Sequence, residues 1–267
     1  MLGRDLVRAA EFTNHEVVAA ARLDADVTNR LALDRVMRRA QPDVVVNCAA
    51  YTDVDGAEGD PHAAMAVNAD GARNVAAAAA ERGAAVLYLS TDFVFDGRKG
   101  SPYVESDEPR PLSSYGTSKL AGEVDTAAVN PQHYIVRTSW LFGTSGRNFA
   151  ATMLDLGEHQ SQVVVVRDQV GAPTYTAHLA EGLVRLISTG AFGLYHMTAG
   201  GQCSWYDFAV AIFDRAGVDC SVLSTTSDEL GRPAARPEYS VLATQYDDAI
   251  YLPDWTDGLD DYLRERE

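Results

Sequence analysis

Residues 85–92 read AVLYLSTD, an apolar run that ends in hydroxyl and carboxyl side chains. A glycine-containing turn precedes the run and a polar, Gly/Pro-rich loop follows it over 92–112, so we predict a buried strand over 85–90. Two further β-branched runs lie on either side of it in the chain, DVVVNC at 43–48 and YIVRT at 134–138. Continuous apolar runs of this kind are typical of strands buried in a parallel sheet.

Helical segments separate these strands. We predict helices over 30–40, over the alanine-rich 61–82 and over 114–128, and a short additional strand over 16–20 (EVVAA). Alternating strands and helices at this spacing predict an α/β fold, a Rossmann-type doubly wound parallel sheet with helices on both faces. Such sheets bind ligands beyond the carboxyl ends of their strands.

The alternation becomes irregular after Trp140. We predict helices over 148–157, 176–189, 205–216 and 257–264, and strands over 163–166 and 194–197. We therefore divide the chain into a Rossmann-like domain, residues 1–147, and a smaller interleaved substrate-binding lobe, residues 148–267. Some segments of that lobe are expected to return to the first domain.

Composition excludes several classes of function. The chain has 38 acidic and 22 basic side chains, a formal net charge of −16, which disfavours nucleic acids and anionic membranes as partners. No apolar run approaches the roughly 20 residues of a membrane-spanning helix, and no secretory signal begins the chain, so we expect a cytoplasmic protein. The cysteines and histidines lack metal-ligand spacing, and we predict no metal site. Only two lysines occur, and such an acidic, lysine-poor surface suits a high-salt cytoplasm.

The strongest chemical signal is the pentapeptide Tyr115-Gly-Thr-Ser-Lys119. On the predicted helix Tyr115 and Lys119 share one face, and Thr91 ends the preceding strand. A phenol has an ordinary pKa of about 10, and we expect the neighbouring ammonium to lower the Tyr115 pKa. Tyr115 could then donate a proton to a carbonyl oxygen that the Thr91 hydroxyl also binds. Thr91, Tyr115 and Lys119 are therefore the predicted catalytic residues.

A series of motifs in fixed order resembles a known family. The motifs are DVT at 26–28, PDVVVN at 42–47, AAYTDVD at 49–55, VN at 67–68, STDFVFDG at 90–97, YGTSKLAGE at 115–123, RTSW at 137–140, NF at 148–149, DQVGAPT at 168–174 and RPEYS at 236–240. In this order they are similar to the extended short-chain dehydrogenase/reductases, over essentially the whole chain. The resemblance implies an oxidoreductase of polysaccharide biosynthesis that reduces the C4 keto group of a nucleotide-linked 6-deoxysugar. The substrate implied is dTDP-4-dehydro-L-rhamnose, reduced to dTDP-L-rhamnose with NADPH, or with NADH.

The resemblance also implies binding roles for individual residues. The cofactor would contact Gly3, Asp26, Val27, Ala49, Ala50, Tyr51, Tyr115 and Lys119. The deoxyhexose would contact Thr52, Val54, Asp92, Phe93 and Trp140, and Arg236 would bind the nucleotide phosphates. The alternative for Trp140 is a core aromatic, and for Arg236 a surface ion pair. The family also implies a monomer or a homodimer.

The chain departs from the family at its beginning. The family opens with a strand and a GxxGxxG turn; here Gly3 matches the third glycine, and the earlier part has no counterpart. We interpret this as a start codon assigned too late or a shortened chain. The alternative is a protein that repairs the gap or has lost cofactor binding.

Two further departures bear on cofactor and substrate. Ala21 stands where an acidic residue is expected at the end of the second strand, and Arg22 follows it, which favours the 2′-phosphate of NADPH. Phe93 stands where many relatives carry tyrosine, so one hydroxyl contact to the sugar is lost.

Two alternative functions remain open. A nucleotide-sugar dehydratase or epimerase belongs to the same superfamily, although Phe93 after Asp92 removes the acidic pair that dehydration requires. The other alternative is a non-catalytic subunit similar to the regulatory subunit of methionine adenosyltransferase. The retained Thr91, Tyr115 and Lys119 favour an enzyme.

Overall fold

A parallel sheet forms the centre of the molecule, whose computed structural model describes residues 1–266. The strands are β1 (Val44–Asn47), β2 (Ala85–Thr91), β3 (His133–Thr138), β4 (Leu141–Phe142), β5 (Gln162–Val166), β6 (Val170–Gly171), β7 (Thr174–Tyr175), β8 (Gly193–His196), β9 (Cys203–Ser204) and β10 (Ser221–Thr225). The helices are α1 (Leu2–Glu11), α2 (Arg30–Ala40), α3 (Val54–Gly59), α4 (Pro61–Met65), α5 (Gly71–Ala80), α6 (Ser114–Val129), α7 (Phe149–His159), α8 (Thr176–Ile187), α9 (Trp205–Ala216), α10 (Ser227–Leu230) and α11 (Trp255–Arg266). The central sheet has the order β1-β2-β3-β8, all parallel.

The register of the sheet brings the carboxyl ends of its strands to one edge. Thr91 is paired with Thr138, so β2 and β3 end level with each other. β1 ends at Asn47, which is paired with Tyr88, three residues before the end of β2. The loops that carry the predicted motifs therefore leave the sheet at the same edge.

Helices cover both faces of the sheet, and the predicted doubly wound α/β fold is confirmed. On one face α1 and α8 pack against β2 and β3, with Leu87, Val136 and Leu183 fully buried. On the other face α2 and α5 pack around Leu33 and Val75. These apolar contacts supply the main stabilisation of the sheet.

The predicted strand over 16–20 is wrong. Residues 15–21 form an irregular, exposed loop in which Val18 is 58% exposed. Within residues 1–266, β1 is the edge of the central sheet and no strand pairs with its free side. An apolar run becomes a strand only where a neighbour satisfies its backbone N–H and C=O groups, and 16–20 has none.

The predicted single helix over 61–82 is interrupted. α4 ends at Met65, a π-helical turn runs from Ala66 to Asp70, and α5 continues from Gly71. π turns insert one extra residue and often occur at functional sites. Here the turn carries Asn68, whose side chain is fully buried.

A second, aromatic core lies in the carboxyl-terminal part of the chain. Phe142, Tyr175, Phe208 and Tyr262 pack together among α7, α9 and α11. The parallel pair β5 and β10 lies beside them; β10 and α3 are elements that the sequence analysis did not predict. α8 and β8 belong to this half of the chain in sequence but pack on the central sheet. Of the described helices, none is long and apolar enough to cross a membrane.

Candidate active site

Thr91, Tyr115 and Lys119 meet at the carboxyl edge of the sheet. Thr91 is the last residue of β2, and Tyr115 and Lys119 lie one turn apart on α6. A Cβ atom at Gly116 would lie 2.3 Å from the carbonyl oxygen of Phe93, so only glycine lets the helix approach the strand end this closely. The Tyr115 ring meets the Phe93 ring edge-on, with centroids 5.9 Å apart.

Lys119 is buried beneath this edge, with 2% of its surface exposed. Its Nζ donates to the carbonyl oxygen of Leu89 and lies 4.1 Å from the centroid of the Tyr88 ring. Burial lowers the pKa of Lys119 to about 7, and the negative charge of Glu123 opposes that shift. An ammonium carries three donor hydrogens, and the bond to Leu89 uses one of them.

The expected lowering of the Tyr115 pKa is wrong for this arrangement. Burial raises the pKa of Tyr115 to about 12, the Thr91 hydroxyl acts in the opposite direction, and the charge of Asp92 adds to the rise. The Lys119 ammonium is held by the strand carbonyl rather than by the phenol. Desolvation therefore outweighs any help from the lysine.

A buried ion pair that the sequence analysis missed lies one helical turn beyond Lys119. Arg137 on β3 donates to Glu123 through Nη2 at 2.7 Å and Nε at 2.9 Å, and both side chains are almost fully buried. The Ser90 hydroxyl donates to the same carboxylate at 2.5 Å. Glu123 follows Lys119 by four residues, so the helical spacing could have placed it on the catalytic face.

Asn68 is a second residue that the sequence analysis did not assign a role. Its side-chain amide donates to the carbonyl of Tyr51 at 3.1 Å and to the Ser118 hydroxyl at 2.9 Å, and it accepts from the Tyr51 N–H at 2.8 Å. The loop after β1 is thereby tied to α6. A Cβ atom at Gly122 would lie 2.1 Å from the Asn68 carbonyl oxygen, which explains the second glycine of the YGTSKLAGE motif.

Asp92, predicted to face the sugar, lies with its carboxyl group below the cleft surface. Asp92 is 2% exposed, and its two oxygens accept from the Thr91 hydroxyl at 3.1 Å and the Ser240 hydroxyl at 2.5 Å. Ser240 comes from the RPEYS motif near the other end of the chain. A direct contact between Asp92 and the sugar stays a prediction, and it would require one of these hydroxyl groups to give way.

The predicted cofactor residues follow β1 and open α1. Ala49, Ala50 and Tyr51 lie directly after β1, and the small side chains of the first two leave room beside the sheet. Gly3 lies in the first turn of α1, where a Cβ atom would be 3.7 Å from the Cβ of Cys48. The free N–H groups of a helix start attract phosphate groups.

The residues predicted for the adenine end lie in the exposed loop that precedes α2. Arg22 is exposed and pairs with Asp26 at 3.4 Å, and the bonds from Thr28 lower the pKa of Asp26. Val27 is buried, and a Cβ atom at Gly71 would come within 2.7 Å of its Cγ2.

Trp140 lies two residues beyond β3 in a strained backbone conformation, with φ at +48°. Its ring stacks on Trp205 with centroids 3.6 Å apart, and a Cβ atom at Gly171 would lie 2.5 Å from the ring. These two contacts fix the orientation of the indole and compensate for a strain of about 1–2 kcal/mol. Trp140 is partly buried, so the packing role and the predicted sugar contact are compatible.

Arg236 forms the ion pair that was the alternative to phosphate binding. Its guanidinium donates to both carboxylate oxygens of Asp55, at 3.0 and 2.8 Å, and these bonds lower the Asp55 pKa. Arg236 and Arg98 also line a cavity of about 520 Å³. Thr52 and Val54 lie at the amino-terminal end of α3, which Asp53 caps by accepting from the N–H of Gly56.

Fold and site together define a class of protein. A threonine at a strand end and a YxxxK motif on the next helix, above a doubly wound parallel sheet, are the features of an extended short-chain dehydrogenase/reductase, which is an oxidoreductase. Residues 1–267 match the family model described as the RmlD substrate binding domain, and the chain belongs to that family.

Named relatives of this chain are similar over most of their length. A dTDP-4-dehydrorhamnose reductase of Streptomyces griseus is 44% identical over 249 residues, which cover 91% of this chain and 82% of the relative. A crystal structure of a dTDP-4-dehydrorhamnose reductase from Clostridium acetobutylicum has a TM-score of 0.94 and 43% identity, covering 99% of this chain and 95% of that one. The structure of a dTDP-4-dehydrorhamnose reductase from Bacillus anthracis, in complex with NADP, has a TM-score of 0.96 and 38% identity, with the same coverage. The resemblance drawn from the sequence motifs is thereby confirmed.

Proposed function

We propose that this protein reduces dTDP-4-dehydro-L-rhamnose to dTDP-L-rhamnose at the expense of NADPH. The observation that carries the proposal is the convergence of Thr91, Tyr115 and Lys119 at the carboxyl edge of the sheet. Because its relatives are named for this reaction, the nucleotide and sugar follow from the family. The site residues themselves are proposed from the geometry above.

The residues at the sheet edge fit a nicotinamide dinucleotide. The buried Lys119 has donor hydrogens beyond the one bonded to Leu89, which suits the hydroxyl groups of a ribose. The small side chains of Ala49 and Ala50 and the start of α1 at Gly3 suit a pyrophosphate. Arg22 would meet a 2′-phosphate, with Asp26 and Val27 beside the adenine. When bound, the cofactor supplies the hydride.

Tyr115 is the proposed proton donor. A phenol whose pKa burial raises to about 12 is protonated at neutral pH and is ready to give its proton to the C4 oxygen as that oxygen gains negative charge. The Thr91 hydroxyl would bind the same oxygen, which fixes the carbonyl in the plane needed for attack. The charge of Lys119 would stabilise the phenolate that remains.

The sugar would lie between the sheet edge and the carboxyl-terminal lobe, residues 148–267. Thr52 and Val54 would form one wall and Phe93 the floor, with the Trp140 indole as a flat apolar surface against the ring. Asp92 would support this surface from below. Arg236 would bind the diphosphate, which requires its guanidinium to share its donors between Asp55 and the ligand.

The direct test is an assay of the purified chain with dTDP-4-dehydro-L-rhamnose, following NADPH consumption and identifying the sugar product by NMR. We expect one NADPH consumed per dTDP-L-rhamnose formed, and weaker turnover with NADH. An Arg22→Ala variant should reduce this preference, and Arg38→Ala, on α2, is the matched control. An epimerase would isomerise the sugar without net consumption of NADPH. A regulatory subunit would consume neither NADPH nor the nucleotide sugar.

The family and the described helices fit a site of action in the cytoplasm, where NADPH and nucleotide sugars are available, and we propose that location. The homodimer stays a prediction; sedimentation equilibrium in low and high salt would test it. The same salt series would test the inference that the acidic surface is adapted to high ionic strength.

A further inference from the structure

Asp92 is a buried carboxyl group without a positive partner. Of the side chains described between residues 1 and 266, those that bond it are the hydroxyl groups of Thr91 and Ser240, and no arginine, lysine or histidine is paired with it. Burying a carboxylate without a counter-charge is costly, so the surroundings favour the protonated acid. Burial raises the pKa of Asp92 to about 7, although both hydroxyl bonds and the N–H of Phe93 act against the rise.

This carboxyl group is connected to the catalytic phenol through one hydroxyl group. The Thr91 hydroxyl donates to Asp92 at 3.1 Å, and when Asp92 carries a proton the same hydroxyl is free to donate to Tyr115, whose ionised form it favours. The titratable group that faces Asp92 from α6 is Tyr115, whose pKa the charge of Asp92 raises in turn. Ser240 faces it from the RPEYS segment, and Thr91 and Phe93 from its own element.

We propose that Asp92 holds the proton that re-forms the Tyr115 phenol after each turnover and that this proton passes through the Thr91 hydroxyl. The proposal rests on the reductase function proposed above. Asp92 does not contact the reacting atoms; it is a positioning residue that acts through Thr91 and keeps a proton in place.

The steps balance in atoms and charge. Reduction of the C4 carbonyl takes a hydride at carbon from the reduced nicotinamide and a proton at oxygen from Tyr115, which leaves a phenolate. The Thr91 O–H proton then moves to the Tyr115 oxygen while the Asp92 carboxylic acid gives its proton to the Thr91 oxygen. Asp92 remains as a carboxylate and regains one proton from water when the product leaves, which is the proton that ketone reduction consumes overall.

The kinetic test compares Asp92→Asn with Asp219→Asn, an exposed aspartate of the other lobe. The Asp92→Asn substitution keeps hydrogen-bonding groups at this position but removes the transferable proton. We expect its first turnover after mixing to lose much less rate than its steady-state turnover, because Tyr115 already carries a proton. Steady-state turnover should then fall about tenfold to a hundredfold, as is usual when a positioned acid is lost. Wild-type steady-state turnover should fall as pH rises through about 7, with a flat profile for Asp92→Asn.

A second measurement does not depend on turnover. Infrared difference spectra of wild type against Asp92→Asn should show the C=O band of a protonated carboxyl group that disappears as pH rises through about 7. Ser240→Ala removes a hydrogen bond that favours the ionised form of Asp92. In this variant the C=O band should disappear, and steady-state turnover should fall, at a higher pH than in the wild type. This variant also serves if Asp92→Asn does not fold.

The outcomes separate the two proposals. A band without any turnover of the nucleotide sugar would leave Asp92 as a proton-holding group and overturn the proposed function. Turnover by a wild-type protein that shows no such C=O band would overturn the proton-holding role. So would an Asp92→Asn variant whose first turnover and steady-state turnover slow by the same factor, because a merely structural defect slows both phases alike.

Discussion

The catalytic edge, formed by Thr91, Tyr115, Lys119 and the residues packed beneath them, differs sharply from the exposed loop over residues 12–29. Bonds between residues far apart in the chain hold the catalytic edge, as from Asn68 to Ser118 and from Ser240 to Asp92. Most bonds of the loop are local, such as the pair between Arg22 and Asp26, and its end is tied to α5, where the Asn74 side chain donates to the carbonyl of Val27. The catalytic side chains, whose function depends on the distances between them, therefore lie where several elements of the fold hold the structure in place.

The largest effect is expected at the catalytic edge itself. Tyr115→Phe removes the proton donor and should lower kcat about 10²- to 10⁴-fold while NADPH still binds. Tyr246→Phe, a partly buried tyrosine beside β8, is the matched control and should retain wild-type activity. Steady-state kinetics and cofactor titration by fluorescence would measure both. A Tyr115→Phe variant with near wild-type kcat would remove Tyr115 from the mechanism.

The buried ion pair one helical turn beyond Lys119 should dominate stability. Arg137→Ala leaves Glu123 buried and unpaired, and should lower the free energy of unfolding by about 3–5 kcal/mol. Replacing both residues, Arg137→Met with Glu123→Leu, should recover most of that loss. Arg110→Ala, from the exposed pair with Glu108, should leave stability unchanged in urea unfolding. Equal effects at the two arginines would contradict the contrast between a fixed edge and a solvated surface.

Glycine substitutions test how closely α6 approaches the sheet. Gly122→Ala would place a methyl group against the carbonyl of Asn68 and should cost about 1–3 kcal/mol in unfolding free energy, with reduced cofactor affinity because Lys119 shifts. Gly59→Ala, at the end of α3, meets nothing within 4 Å and should be neutral or slightly stabilising. If both variants were neutral, the close approach of α6 would not be required.

The smallest effect is expected in the exposed loop. Val18→Ala should change the free energy of unfolding by less than about 0.5 kcal/mol, since Val18 is 58% exposed. Val136→Ala in β3, where the side chain is fully buried, should cost about 2 kcal/mol. Thermal unfolding of the two variants provides the comparison. A large loss at Val18 would mean that the segment over 16–20 is buried in a strand after all.

The sequence predicted the parts of the molecule that local patterns determine. The apolar runs at 43–48, 85–90 and 134–138 became β1, β2 and β3, and the helices over 30–40 and 205–216 have the predicted bounds. The prediction of a strand over 16–20 was wrong because a strand needs an adjacent strand to pair with, and an apolar run does not show whether one is present. The π turn at Asn68 was equally invisible, because it depends on contacts with Tyr51 and Ser118.

Helical spacing predicts which side chains lie together on α6, but it does not predict their electrostatics. Spacing on α6 correctly placed Tyr115 and Lys119 on one face, but the direction of the Tyr115 pKa shift depends on burial, which spacing does not give. The Glu123–Arg137 pair and the Asp92–Ser240 bond join residues 14 and 148 positions apart, and no local pattern predicts such pairings. Arg236 was predicted to bind phosphate, with an ion pair as the alternative, and its partner Asp55, 181 positions away, could not be identified from the sequence.

The most direct test of the central claim follows the fate of the hydride. NADPH carrying deuterium at both C4 positions of the nicotinamide would be mixed with dTDP-4-dehydro-L-rhamnose and the protein, and the sugar product analysed by NMR and mass spectrometry. We expect dTDP-L-rhamnose with one deuterium at C4 of the sugar, and loss of that product with Tyr115→Phe. Unlabelled sugar product, or no consumption of NADPH by the folded protein, would contradict the central claim.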